Sequence, residues 1–203
     1  IYQPESKDTF YDHPAVQEQS LLVWADDVRF LLDRLEEINA GELLPQLRGL
    51  LALDRLGIFG MSFGGSTASL VCLEDPRCQA GLTLDSPQYS AVDTGSLQQP
   101  FLFMVSANGD YIERKVYESA AGPAYLVSVA DTAHYNFSDF TLVSPLASAL
   151  GFSGPIDGDQ MIRIQIAYTL AFFDRHLKDL PGALLDGAST EFPEVLIESR
   201  NLD

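Results

Sequence analysis

Hydrophobic and polar residues alternate along this chain in blocks that predict buried strands separated by helices. Four short segments are almost wholly apolar, and each ends at polar or turn-forming residues: 56–59, 79–84, 100–106 and 124–129. Strands that are covered on both faces lose the alternation of apolar and polar positions, as happens in parallel sheets. Segments with helical spacing lie before, between and after them, at about 15–38, 66–73, 112–120 and 160–177. The pattern predicts an α/β fold with a mostly parallel sheet.

The two long predicted helices differ in how their apolar residues are distributed. The first has one apolar stripe, formed by Trp24, Val28, Leu31, Leu32, Leu35 and Ile38. Gly41 follows it in the position of a left-handed C-terminal cap. The last helix is apolar nearly all round, so we expect it to be buried on more than one side. The tail from Pro181 onward has no clear period and is predicted to be an irregular surface strap.

A glycine-framed serine follows the first predicted strand and precedes a predicted helix. Gly60 and Gly64 flank Ser62 at the spacing of a nucleophile elbow, a tight turn that lifts the serine hydroxyl above the sheet. The neighbours of such a serine are expected to be nearly free of side chains. The amides at the start of the following helix would favour negative charge beside the serine. The sequence therefore predicts a catalytic serine at position 62.

Acyl transfer by serine also needs a base and an acid, and the strand ends supply candidates for both. Ser62, Asp85, Asp110 and His134 each follow a predicted strand, and the carboxyl ends of parallel strands meet at one edge of a sheet. Their order along the chain, serine then aspartate then histidine, is that of α/β-hydrolases. Three histidines could act as the base. His134 is favoured over His13, which sits beside a proline, and over His176, whose place at a basic helix end is explained by the helix dipole.

Composition narrows the possible partners. The chain has 203 residues, enough for one domain with a substantial core, and a formal net charge of −17 with few lysines. A nucleic-acid partner is therefore not expected, because phosphate binding depends on clustered Lys and Arg. No apolar stretch is long enough to predict a transmembrane segment. No signal segment opens the chain. Localisation stays open, with a secreted or cell-envelope protein favoured.

The two cysteines leave two alternatives. Cys72 and Cys78 are close in sequence, one near the end of the helix after the elbow and one before the next strand. They either form a disulfide or remain two small buried apolar residues. Neither is placed with histidine at the spacing of a metal site.

Three motifs together resemble the type II platelet-activating-factor acetylhydrolases and their microbial relatives. They are Gly60-Met61-Ser62-Phe63-Gly64-Gly65, the strand end Leu82-Thr83-Leu84-Asp85, and His134-Tyr135-Asn136-Phe137-Ser138-Asp139-Phe140. The segment Ala171-Phe172-Phe173-Asp174-Arg175-His176-Leu177 also resembles the last helix of that family.

The resemblance implies an α/β-hydrolase fold and assigns roles to four residues. It implies Ser62 as nucleophile, His134 as base, Asp85 as acid and the Phe63 amide as one oxyanion donor. Asp85 is favoured over Asp110 on this ground. The implied activity is hydrolysis of short-chain acyl or lipid esters through an acyl-enzyme, without metal or cofactor. Polyester or aryl-ester hydrolysis, acyl transfer to another acceptor and a non-catalytic binding protein of the same fold are the alternatives.

The chain departs from the family pattern in two ways. Met61 stands where the family commonly has histidine, which would reshape the floor of the pocket without removing a triad member. In addition, only about 55 residues precede the elbow, where the fold normally has further strands and a loop with the second oxyanion donor. We therefore expect residues 1–203 to be a single α/β-hydrolase domain without its N-terminal strands. An upstream segment or a second chain would supply the rest.

Overall fold

A five-stranded sheet forms the centre of the computed structural model, which describes residues 13–89, 92, 95–107, 111–143 and 152–202. The strands are β1 Gly57–Met61, β2 Ala80–Leu84, β3 Phe101–Ser106, β4 Ala124–Val129 and β5 Val195–Arg200, and they lie side by side in that order. β1 to β4 run parallel, and β5 pairs with β4 antiparallel. The predicted α/β fold is confirmed, with all four predicted strands in place.

Helices cover both faces of this sheet. They are α1 Pro14–Ala40, α2 Phe63–Glu74, α3 Tyr111–Ser119, α4 Phe140–Val143 and α5 Gly158–Lys178. Alternate residues of β3 show how the two layers divide the core. Phe101 and Phe103 pack with residues of α1, α2 and α3, whereas Leu102 and Met104 pack with residues of α5. All four side chains are fully buried, which explains why these positions are apolar without alternation.

The helix predicted at 15–38 is present as α1 and ends as expected. Gly41 adopts the left-handed conformation, with φ of 83°, and its N–H bonds back to the last turn. The predicted stripe is correct in part: Leu32 is buried and Val28 and Leu35 pack against the core. Trp24 and Leu31, however, are 45% and 56% exposed, and Leu21 and Ala25 are buried instead. The apolar spacing was enough to predict the helix. It could not show which of two neighbouring stripes faces the core, because both contain apolar residues.

Two further expectations are wrong. The last helix, α5, has a single buried stripe, which consists of Met161, Ile164, Tyr168 and Phe172. On its other side, Ile166 and Leu170 are more than half exposed. The helix packs against a single face of the sheet, so its remaining apolar residues have no described layer to contact. The tail is also not an irregular strap throughout, because β5 pairs with β4 over six residues. This edge strand was not predicted from the sequence because its second half is polar or charged, at Glu198, Ser199 and Arg200.

The strand that leads to the elbow lies at one edge of the sheet. β1 pairs with β2, and no other strand of the described ranges pairs with it. Its Phe59 side chain is 59% exposed, whereas every residue of β2 is buried. The expected upstream strands would lie along this open edge.

A disulfide joins Cys72 at the end of α2 to Cys78 before β2. Both residues are fully buried and their Cα atoms are 5.0 Å apart. Of the two alternatives left open by the sequence, the structure has the bonded one. No helix within the described ranges is both long and apolar enough to cross a membrane.

Candidate active site

Ser62 lies in the sharp turn between β1 and α2. Its φ of 55° is unusual for a residue with a side chain, and it reflects the strain of the elbow. A Cβ atom on Gly60 would lie 2.4 Å from the carbonyl carbon of Gly64, so position 60 has no room for a side chain. A Cβ atom on Gly64 would have no neighbour within 4 Å, whereas a Cβ atom on Gly65 would lie 1.9 Å from Ser86 Oγ. The second glycine that the turn requires is therefore Gly65, where the sequence had pointed to Gly64.

The serine hydroxyl is in hydrogen-bond contact with a histidine from the far end of β4. His134 begins the short 3₁₀ turn His134–Phe137, and its Nε2 lies 3.1 Å from Ser62 Oγ. Its other ring nitrogen, Nδ1, lies 2.8 Å from Asp85 Oδ2. The structure thus brings together the three side chains predicted from the sequence, in the order serine, histidine, aspartate.

Asp85 follows β2 directly and is held by the neighbouring strand β3. Its backbone N–H donates to the Met104 carbonyl at 2.7 Å. Its Oδ1 accepts the N–H of Ser106 at 2.8 Å, which leaves Oδ2 directed at the imidazole. The residue has a φ of 46°, so the turn that aims the carboxylate is itself in a strained conformation.

Opposing influences act on the charge of Asp85. Burial disfavours the carboxylate and is the largest single influence, but hydrogen bonds from His134 and Ser106 outweigh it. The pKa of Asp85 consequently lies below its ordinary value. The Asp85 side chain is only 12% exposed, whereas that of His134 is 40% exposed. The Asp85 carboxylate is therefore largely shielded from solvent, whereas the His134 imidazole is accessible to solvent or a substrate.

The remaining candidates do not enter this arrangement. His13 is exposed and occupies the N-cap position of α1, where its side chain makes no capping hydrogen bond. His176 lies within the last turn of α5 with its Nε2 3.1 Å from the Tyr125 hydroxyl, and burial, followed by the charge of Arg175, lowers its pKa to about 4. Asp110, the alternative acid, lies outside the described residues.

Phe63, the predicted oxyanion donor, is the first residue of α2. Its backbone N–H lies at the N-terminal end of the helix, beside Ser62, where helix amides favour negative charge. Its ring packs between those of Trp24 and Tyr89, at centroid distances of 4.9 and 5.7 Å. The backbone of Phe63 is thus anchored through its side chain.

The sequence analysis gave no role to Asn136, which the structure places at the centre of the His134 turn. The residue is 1% exposed, and its Oδ1 accepts the N–H groups of Ala133 and Gly154 at 2.8 and 2.6 Å. Its Nδ2 donates to Thr141 Oγ1 at 3.2 Å. A buried amide held by three hydrogen bonds fixes the loop that carries the histidine. An Asn two residues after the catalytic histidine candidate was the available signal.

Metal-binding side chains are not gathered elsewhere in the part of the chain that is described. Within those ranges, no group of three or more His, Cys, Asp or Glu side chains is arranged to hold an ion. The expectation that the reaction needs no cofactor stays a prediction.

Comparison with known proteins links this geometry to esterases. The family model described as platelet-activating factor acetylhydrolase, isoform II, matches residues 17–183. The platelet-activating factor acetylhydrolase of Bos taurus is 29% identical over 142 residues, which is 66% of this chain and 32% of that protein. The Gallus gallus protein of the same name is 29% identical over 164 residues, 74% of this chain and 38% of its own. The aligned part thus spans about a third of the length of these relatives.

A solved structure agrees with the sequence relatives. A ferulic acid esterase from Streptomyces cinnamoneus matches with a TM-score of 0.75 and 26% identity, over 89% of this chain and 55% of the esterase. The similarity supports the α/β-hydrolase fold for the described sheet and helices.

Proposed function

Because this chain belongs to the platelet-activating factor acetylhydrolase, isoform II, family, we propose that it carries the catalytic triad of a serine carboxylesterase. The observation that carries the proposal is the continuous hydrogen-bonded line from Ser62 Oγ through both nitrogens of His134 to Asp85. A nucleophile, a base and an orienting acid in this relation are what acyl transfer by serine needs.

In the proposed mechanism, Ser62 Oγ attacks the ester carbonyl while His134 Nε2 takes the hydroxyl proton. Asp85 holds the imidazole with Nδ1 protonated and stabilises its positive charge. The Phe63 N–H donates to the developing oxyanion. His134 then returns the proton to the leaving alcohol, which departs and leaves an acyl-Ser62 ester. Water, deprotonated by His134, then attacks the acyl carbonyl; His134 returns this proton to Ser62 Oγ as the acyl–oxygen bond breaks, which regenerates the serine and releases the carboxylic acid.

The proposed substrates are short-chain acyl or lipid esters. The curated relatives are named as platelet-activating factor acetylhydrolases, and this supports an ester with a small acyl group. Aryl-ester hydrolysis is the second candidate, because the structural match is named as a ferulic acid esterase. Comparing kcat/KM for acetyl esters of a phospholipid, of p-nitrophenol and of a feruloyl alcohol would rank these classes.

The test of the triad, made in the complete protein, is labelling by a fluorophosphonate probe together with hydrolysis of p-nitrophenyl acetate. We expect wild-type protein to be labelled at Ser62 and Ser62→Ala to lose both labelling and turnover while keeping its thermal midpoint. Ser199→Ala, at an exposed position of β5, is the matched control and should behave as wild type. A Ser62→Ala protein that still hydrolysed the ester at near the wild-type rate would exclude this mechanism. Absence of labelling in the wild type would favour the non-catalytic alternative.

We further infer that an additional segment, from an upstream part of the protein or a second chain, pairs with the open edge of β1. A strand edge with exposed N–H and C=O groups readily pairs with another strand, and Phe59 lies exposed on this one. The same segment would supply the second oxyanion donor. We expect a polypeptide of residues 1–203 alone to be inactive and to unfold without cooperativity. A cooperative melt with full activity from that polypeptide would refute the inference.

A further inference from the structure

Glu113 is a buried carboxyl group that the proposed mechanism does not use. It lies in the first turn of α3 and is only 1% exposed. A carboxyl group is costly to bury unless hydrogen bonds compensate for the lost hydration. Its contacts therefore indicate what the residue does for the structure.

Two of these contacts lie on either side of Asp85. Glu113 Oε1 accepts the backbone N–H of Ser86 at 3.0 Å, immediately after Asp85. The same oxygen accepts the hydroxyl of Thr83, two residues before Asp85, at 3.4 Å. One carboxyl oxygen of Glu113 thus connects Thr83, near the end of β2, to Ser86, which follows the turn at Asp85.

The turn at Asp85 needs such support. A φ of 46° is in the left-handed region, which aspartate tolerates better than most residues but which still needs surrounding contacts to hold it. β3 fixes the turn from one side, through the bonds from Asp85 to Met104 and Ser106. Glu113 fixes the peptide on the other side of the residue. Together these bonds set the direction of the Asp85 carboxylate.

We propose that Glu113 is a positioning residue that acts through Asp85, holding the Asp85–Ser86 peptide so that Oδ2 meets His134 Nδ1. The inference rests on the proposed triad and adds a residue to it. The competing explanation is that Glu113 only stabilises the packing of α3 on the sheet. The two explanations differ in one expected result. If Glu113 acts through Asp85, substituting it should no longer lower the rate once Asp85 cannot orient the histidine. If Glu113 has only a general structural role, the substitution should lower the rate equally in both backgrounds.

A double-mutant cycle in the complete protein separates them. Glu113→Leu removes the acceptor, and Glu113→Gln keeps an oxygen that can accept the same two bonds. Each is combined with Asp85→Asn. We measure kcat and KM for p-nitrophenyl acetate, and the rate constant of Ser62 labelling by a fluorophosphonate, which remains measurable in slow variants.

Glu113→Leu should lower kcat by about 10- to 100-fold, because small displacements of a catalytic group have costs of this size. KM should change by less than about threefold, and Glu113→Gln should stay within about threefold of wild type. In the Asp85→Asn background, Glu113→Leu should cost less than about threefold in either rate. An equal cost in both backgrounds, or an unchanged kcat in the single variant, would overturn the proposal.

Two further measurements keep the result decisive. If Glu113→Leu does not fold, Glu113→Asp takes its place, since its carboxylate is one methylene too short to reach Ser86 from the same backbone position. The same coupling to Asp85 is then expected, and its absence would again overturn the proposal. Ser62→Ala tests the proposed function separately. If that variant is inactive and the coupling is absent, only the role of Glu113 is wrong.

Discussion

Replacing Asp85 with asparagine tests the candidate acid, and the structure determines how the new side chain must sit. Asp85 Oδ1 accepts the Ser106 N–H, Oδ2 accepts from His134 Nδ1, and the Ser106 side chain also hydrogen-bonds to the carboxylate. Asparagine has one oxygen and one NH₂ group. Since the Ser106 N–H can only donate, the amide oxygen must face it, and the NH₂ group must face the histidine.

This arrangement forces the wrong tautomer on the imidazole. With an NH₂ group opposite, Nδ1 must accept a hydrogen bond, so the proton moves to Nε2, the nitrogen that faces Ser62. A protonated Nε2 cannot take the serine proton. Turning the amide round would restore the tautomer, but it would set the NH₂ group against the Ser106 N–H in a site that is only 12% exposed. Leaving a buried donor without an acceptor costs about 1–3 kcal/mol, and in this orientation the neutral amide still lacks the negative charge that stabilises the imidazolium in the transition state.

We therefore expect Asp85→Asn to lower kcat for p-nitrophenyl acetate by about 10⁴, the loss known when a triad aspartate is changed in this way. That factor corresponds to about 5.5 kcal/mol of transition-state stabilisation. Fluorophosphonate labelling should slow in parallel, while the thermal midpoint should change little. Asp110→Asn is the control and should retain near wild-type kcat. A loss below tenfold in Asp85→Asn would refute the reasoning, and a larger loss in Asp110→Asn would transfer the acid role to that residue.

Three further results are expected. His134→Ala should reduce turnover about as much as loss of the serine, because triad members act as a unit, whereas a larger loss in His13→Ala would move the base. The pKa of His176 is lowered from 6.5 to about 4, so its neutral form stabilises the fold fully above pH 6.5, and this contribution is lost as the pH falls towards 4. Allowing for partial solvent access, it amounts to about 2 kcal/mol, and urea melts of His176→Gln should show a correspondingly flatter pH dependence over that window. Gly65→Ala should destabilise the fold by about 3 kcal/mol in chemical denaturation, because its Cβ overlaps Ser86 Oγ, whereas Gly64→Ala should not. Equal losses in the two glycine variants would contradict the steric argument.

The positions of the site residues could be predicted because each of them follows a strand that is recognisable on its own. Ser62, Asp85 and His134 lie beyond β1, β2 and β4, and a buried parallel strand is recognised from its apolar run. Parallel strands bring their carboxyl ends to one edge of the sheet, so Ser62, Asp85, Asp110 and His134 could all be expected near one another. The choice of Asp85 over Asp110 needed the family resemblance as well.

The residues that could not be predicted depend on contacts between distant parts of the chain. Gly65 must lack a side chain because of Ser86, and Glu113 is tied to the acid through a backbone N–H 27 positions away. β5 is a strand because β4 offers it an edge, although half of its own residues are polar or charged. In each case the cause lies in the tertiary arrangement, and the local sequence carries no trace of it.

The hydrogen bonds that hold the proposed triad differ between its members. Asp85 is held by β3 and α3, and the His134 turn is held by Asn136, all of them described elements away from the open edge. Ser62 follows β1 directly and is tied to the sheet from one side, through its N–H, which donates to the Leu84 carbonyl at 3.0 Å. A segment that pairs with the other side of β1 would therefore act on the nucleophile and its oxyanion donors. The histidine–aspartate pair, by contrast, has its hydrogen-bond partners already within the described part of this chain.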